Sequence, residues 1–76
     1  MSKDEWLDEF SNNLSDMLED ARMTQRELAD AAGLSEAAIS QYIKGQRTPD
    51  IRAINNMAYA LDCDIDDLVN FDEMIN

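Results

Sequence analysis

Residues Thr24–Lys44 read TQRELADAAGLSEAAISQYIK, and their spacing decides the fold. Thr24 with Glu27 three positions later is a capping box, the reciprocal pairing that opens a helix. Leu28 and Ala32 then share a face, and the run stops at Gly33, the residue best suited to a left-handed helix exit. Ser35 can cap a second short helix that runs through Ile43 and Lys44 to another terminating glycine, Gly45, with Ile39, Tyr42 and Ile43 inward. Ala29 is small enough to let the two helices cross closely. Two short helices on a tight turn form a helix-turn-helix, a geometry that lets the second helix enter a major groove. Duplex DNA is the first partner to consider.

Working outward, Ser2 followed by Glu5 is a further capping-box start, and Trp6, Leu7, Phe10, Leu14, Met17, Leu18 and Ala21 recur at three- and four-residue steps. This predicts one long amphipathic helix, or two broken near Ser11–Asn13. Downstream, Thr48 and Pro49 read as cap and first-turn residue of a fourth helix, with Ile51, Ile54, Met57, Ala58 and Leu61 inward. Asp64 is the expected cap of a fifth, carrying Ile65, Leu68 and Val69. The fold class is all-α with five helices. Residues 1–76 form a single domain with its core at about 10–69 and short apolar extensions at both ends.

Seventy-six residues are close to the size at which one core is only marginally sufficient, which favours a second subunit. Trp6, Leu7 and Phe10 near one end, and Leu68, Phe71, Met74 and Ile75 near the other, are apolar residues that meet each other, meet the same residues of a second subunit in a homodimer, or extend the core of the monomer, the last being as good a reading as the others. No stretch approaches the roughly 20 apolar residues of a membrane span, and the acidic start has neither the basic nor the apolar region of a signal peptide. The expected location is the cytoplasm. With no His and a single Cys, there is no recognisable metal site, and Cys63 reads as a small buried apolar filler. No cofactor motif or small-molecule site is evident. The acidic run Asp62, Asp64, Asp66 and Asp67 lacks the turn glycine and terminal glutamate of a calcium loop. Without a phosphate-cradling glycine loop or an activated nucleophile, the sequence does not read as an enzyme.

The net charge of -11 argues against a polyanion partner until its distribution is read. Residues 1–20 carry one base against seven acids, and residues 53–76 carry six acids and no base. The window between them holds Arg22, Arg26, Lys44, Arg47 and Arg52 against four acids. Any face offered to phosphate must lie there. On the second helix of the pair, Glu36, Ala37, Ser40, Gln41 and Lys44 fall opposite Ile39 and Tyr42. Gln and Ser can bond base edges, Glu can accept from cytosine, and Ala can touch a thymine methyl. Gln25, Lys44 and Arg47 are placed to hold flanking phosphates. With about three to four bases per subunit on phosphates, a dimer would show a log–log salt slope near -6. Screening over roughly 8–10 Å shields DNA from acids on the far side.

Residues 10–69 resemble the Cro/repressor-type (Xre-like) helix-turn-helix family of bacterial and phage transcription regulators, whose domain is lambda-repressor-like with five helices. The resemblance is carried by Met23-Thr24-Gln25, Leu28-Ala29, Ala32-Gly33-Leu34, Ser35, Ile39-Ser40, Tyr42, Lys44-Gly45, Pro49, Ala60-Leu61 and Ile65-Asp66-Asp67-Leu68. It implies a sequence-specific DNA-binding regulator, a repressor, reading the major groove with the helix at 35–44. It further implies that Gln25 binds a phosphate, that Glu36, Ala37, Ser40 and Gln41 face bases or adjacent phosphates, and that Lys44 and the loop through Arg47 touch the backbone. Arg26 stands beside Gln25 in the same set. The chain departs from the family pattern with Asp16, Glu19 and Asp20 on its first helix, where bases are usual, and with Glu36. The alternative function is an acidic protein-interaction module on the same fold: an antirepressor, an antitoxin or a nucleic-acid mimic.

Overall fold

The computed structural model describes residues 5–69, which form five helices joined by turns. They are α1 (Glu5–Ala21), α2 (Gln25–Ala32), α3 (Glu36–Ile43), α4 (Ile51–Ala60) and α5 (Ile65–Leu68). Helix α2 packs on α3 and α4, α1 on α3 and α5, and α4 on α5. Between them lie Phe10, Leu14, Leu28, Ile39, Ile54, Met57, Leu68 and Val69, all fully buried. Small buried residues, Ala29, Ala32, Ala38, Ala53 and Ala58, allow the short helices to approach closely. The expected Ser2 cap lies outside the described residues.

Helix α1 is continuous, because the polar residues at its middle have partners across the core rather than competing for the helix backbone. Ser11 is buried and its hydroxyl donates to the carbonyl of Tyr42 at 2.7 Å. Asn13 donates through Nδ2 to the carbonyl of Leu68 at 2.9 Å, tying α1 to α5. Among the described residues, every buried side-chain nitrogen or oxygen is hydrogen-bonded.

Two helix ends differ from the sequence expectation, and two more exit at residues for which the sequence set none. Helix α3 stops at Ile43, with Lys44 as its C-terminal cap and Gly45 just beyond in the left-handed region at φ 70°. Helix α4 is capped by Asp50, not Thr48, since Asp50 Oδ1 accepts from the Ala53 N–H at 2.8 Å. Pro49 precedes the cap and is buried, which suits the apolar position before a cap rather than the first turn. Ile51 therefore falls on the outer side of α4 and is 52% exposed instead of inward. Helices α1 and α4 exit through Arg22 at φ 55° and Asp62 at φ 57°, left-handed conformations at residues other than glycine. Both exits make the paired bonds of a Schellman motif: Arg22 N to Glu19 O and Met23 N to Leu18 O, then Asp62 N to Tyr59 O and Cys63 N to Ala58 O.

Leu68, expected at a subunit interface, is fully buried within the subunit. It sits on the inner face of the last turn, where α1 and α4 both cover α5. Phe71, Met74 and Ile75 lie outside the described residues. No helix among the described residues is long and apolar enough to cross a membrane.

Candidate nucleic-acid interface

Local hydrogen bonding fixes the α2–α3 unit before any tertiary contact is counted. Thr24 Oγ1 accepts from the Glu27 N–H at 3.0 Å while Glu27 Oε1 accepts from the Thr24 N–H at 2.8 Å, completing the capping box. Gly33, at φ 69°, reverses the chain, and the Leu34 N–H returns to the Ala29 carbonyl at 2.9 Å. A side chain at Gly33 would meet no neighbour, so glycine is required there for its backbone conformation and not for space. Ser35 Oγ then accepts from the Ala38 N–H at 3.0 Å and starts α3.

This construction leaves one edge of α3 outside. Glu36, Ala37, Gln41 and Lys44 are exposed and Ser40 is half-buried, whereas Ala38, Ile39 and Tyr42 are buried. On α2, Gln25 is half-buried in the first turn and Arg26 is exposed. Arg47 is exposed in the loop after α3, and its guanidinium folds back on the helix. Its carbon lies 5.7 Å from the centroid of the Tyr42 ring, and its NH1 donates to Gln41 Oε1 at 3.4 Å. The structure thus brings Arg47 onto the edge formed by Gln41, beyond the backbone-contact position expected for it.

Two contributors escape the sequence pattern. Tyr42 reads as core, yet its ring also supports Arg47 and meets Phe10 edge-on at 6.0 Å between centroids. Arg52, in the first turn of α4, lines with Arg47 a concavity of about 390 Å³ that also includes Gly33, Leu34, Tyr42 and Asp50. The signal for Arg52 was its place in the basic window. For the Tyr42–Arg47 contact there was none, because the turn at Gly45 breaks helical spacing between them.

Carboxylates gather next to that concavity. A larger one of about 820 Å³, which shares Ala32, Gly33 and Asn56 with the first, is lined by Asp30, Asn55, Tyr59, Asp64 and Asp66 among others. Cys63 borders it and is half-buried rather than buried as expected, with Sγ 4.0 Å from Met17 Sδ. Burial pushes the Cys63 thiol up from its usual range, and the negative charges of Asp67, Asp64 and Asp62 add to the effect. Among the described residues, no three His, Cys, Asp or Glu converge as a metal ion would need.

A projecting polar helix on an α2–α3 pair is a geometry shared with known proteins. Residues 13–73 match the model of the Cro/C1-type HTH DNA-binding domain. The chain belongs to the Cro/C1-type helix-turn-helix family. This is a family of DNA-binding transcription regulators, and the five-helix architecture is the one it uses. The Cro/C1-type chain is 33% identical over 60 residues to the uncharacterized HTH-type transcriptional regulator YqaE of Bacillus subtilis, covering 79% of this chain and 52% of that protein. It therefore spans about half the length of that relative. Among solved structures, it superposes on the restriction-modification controller protein C.AhdI from Aeromonas hydrophila with a TM-score of 0.79 at 27% identity, covering 82% of this chain and 94% of the other. An HTH_3 family transcriptional regulator from Vibrio cholerae has a TM-score of 0.83 at 18% identity over 97% of this chain and 42% of its own, a likeness of fold.

Proposed function

We propose that this Cro/C1-type domain is a sequence-specific repressor that binds an operator as a homodimer, with the N-terminal part of α3 in the major groove. The observation that carries the reading is the polar outer edge of α3, with Glu36, Ala37, Gln41 and Lys44 exposed beside Ser40. In this reading Glu36, Ala37, Ser40 and Gln41 face base edges, and Gln25, Arg26, Lys44 and Arg47 flank them at the phosphates. A homodimer would set two such helices against half-sites roughly 34–36 Å apart, one turn of B-DNA. Occupation of the operator then excludes the transcription machinery. The carboxylates of Asp64 and Asp66 line a concavity that adjoins the one bordered by Arg47 and Arg52 but includes neither base nor any residue of α3, and in this reading the acidity lowers non-specific affinity.

Gel-shift titration against fragments of the source genome, at low and moderate salt, tests this. A saturable complex is expected, with Gln41→Ala losing about tenfold or more of the discrimination between operator and random duplex. Lys44→Ala should weaken both duplexes alike and flatten the salt slope by about one. Absence of any complex at low salt would refute the reading and leave the acidic interaction module in its place.

A further inference from the structure

The base edge that Gln41 can read is restricted by its neighbours, an inference that rests on the DNA reading just given. Tyr42 is a fixed platform: its ring is buried, Phe10 meets it edge-on at 73°, and its carbonyl is held by Ser11. Arg47 lies over that ring and donates to Gln41 Oε1. A guanidinium has only donors, so the carboxamide of Gln41 must turn its oxygen toward Arg47. One lone pair of that oxygen is taken, and a second donor brought to it meets the guanidinium's own N–H groups and positive charge, whereas the Nε2 amino group is free to donate.

We infer that Arg47 is a positioning residue that presents Gln41 to the groove chiefly as a donor and so selects guanine over adenine. Guanine offers two acceptors in the major groove, N7 and O6, and a lone amino group satisfies that edge. Adenine presents an acceptor at N7 and a donor at N6, and glutamine pairs with it by using nitrogen and oxygen together. With a cation already at its oxygen, Gln41 makes the accepting half of that pair less well, because the adenine N6 amino group would approach beside the guanidinium. The chain of cause runs from the Phe10–Tyr42 core contact, through the cation on the ring, to the choice of base.

Selection from a duplex library with a randomised 20-base-pair region tests this with the full chain. The base pair contacted by Gln41 is the one whose preference vanishes in Gln41→Ala. At that pair the unmodified protein is expected to select G·C, Arg47→Ala to admit A·T with about tenfold less discrimination, and Arg47→Lys, still a donor-only cation, to keep G·C. A uniform loss of affinity in Arg47→Ala with G·C retained would make Arg47 a phosphate ligand only and overturn the inference. Selection of A·T by the unmodified protein would overturn it too, while leaving the repressor reading intact. If the unmodified protein selects no sequence at all, the DNA reading falls and this inference with it.

Discussion

Helices α2 and α3 and helices α4 and α5 solve the same problem of unsatisfied helix ends with different chemistry. The first pair starts on hydroxyls, Thr24 and Ser35, and exits at Gly33 and Gly45. The second starts on carboxylates, Asp50 and Asp64, and α4 exits at Asp62. The hydrogen bonds are equivalent, at 3.0 Å for Ser35 and 2.8 Å for Asp50, but the charge is not. A helix N-terminus carries a partial positive charge that attracts phosphate, and first-turn carboxylates offset it: Glu27 on α2 and Glu36 on α3 do so beside their neutral caps, whereas α4 has its acid at the cap itself. This domain keeps uncharged caps on the proposed reading pair and places aspartates on the scaffold pair. A total of -11 says little about which face DNA can approach, because five of the six bases lie within residues 22–52.

The largest effect expected on either side of that comparison is in the scaffold. Leu68→Ala should cost about 2–5 kcal/mol, lowering the melting temperature by roughly 10 °C or more, because a fully buried side chain leaves a cavity. Its sedimentation coefficient in the folded state should equal that of the unmodified protein, while a chain ending at Asn70, lacking Phe71, Met74 and Ile75, should shift to monomer. A Leu68→Ala protein of normal stability that fails to dimerise would return Leu68 to the interface.

Exchange of cap chemistry comes next. Ser35→Asp should hold stability within about 1 kcal/mol, since both residues cap well, yet weaken operator binding about tenfold by adding a second carboxylate beside Glu36 at the start of α3. Asp50→Ser should leave operator binding within about twofold. Equal binding by all three proteins, measured by titration at fixed salt, would show that cap charge has no bearing on the interface. The smallest change is a gain: Asp62→Gly should raise stability by about 1 kcal/mol by relieving a left-handed aspartate, without altering DNA affinity. Urea denaturation measures it, and an unchanged midpoint would mean that the exit carries no strain.

The α2–α3 unit was legible in the sequence because each of its turning points is marked by a residue type with a local reason: Thr24 with Glu27, Gly33, Ser35 and Gly45. The outer edge of α3 followed from periodicity. What was not legible depended on choices between equally good local signals or on contacts across a turn. Thr48 and Asp50 are both capable caps, and the burial of Pro49 selects the second. Arg22 and Asp62 occupy left-handed exits that nothing in their side chains announces. Leu68 is apolar whether it faces a core or a partner, so only packing could assign it inward. The Arg47 side chain takes its direction from the Tyr42 ring, a partner that spacing had assigned wholly to the interior.

The bond from Asn13 to Leu68 joins positions 55 residues apart. During synthesis at about 5–20 residues per second, Asn13 waits about 3–11 s before the residue it bonds is made. Throughout that interval Phe10 and Leu14 have no finished core to enter, although α2 and α3 can already coil. The core that supports the helix-turn-helix is consequently closed by α5, and a nascent chain carrying a complete helix-turn-helix is still only a partly built domain.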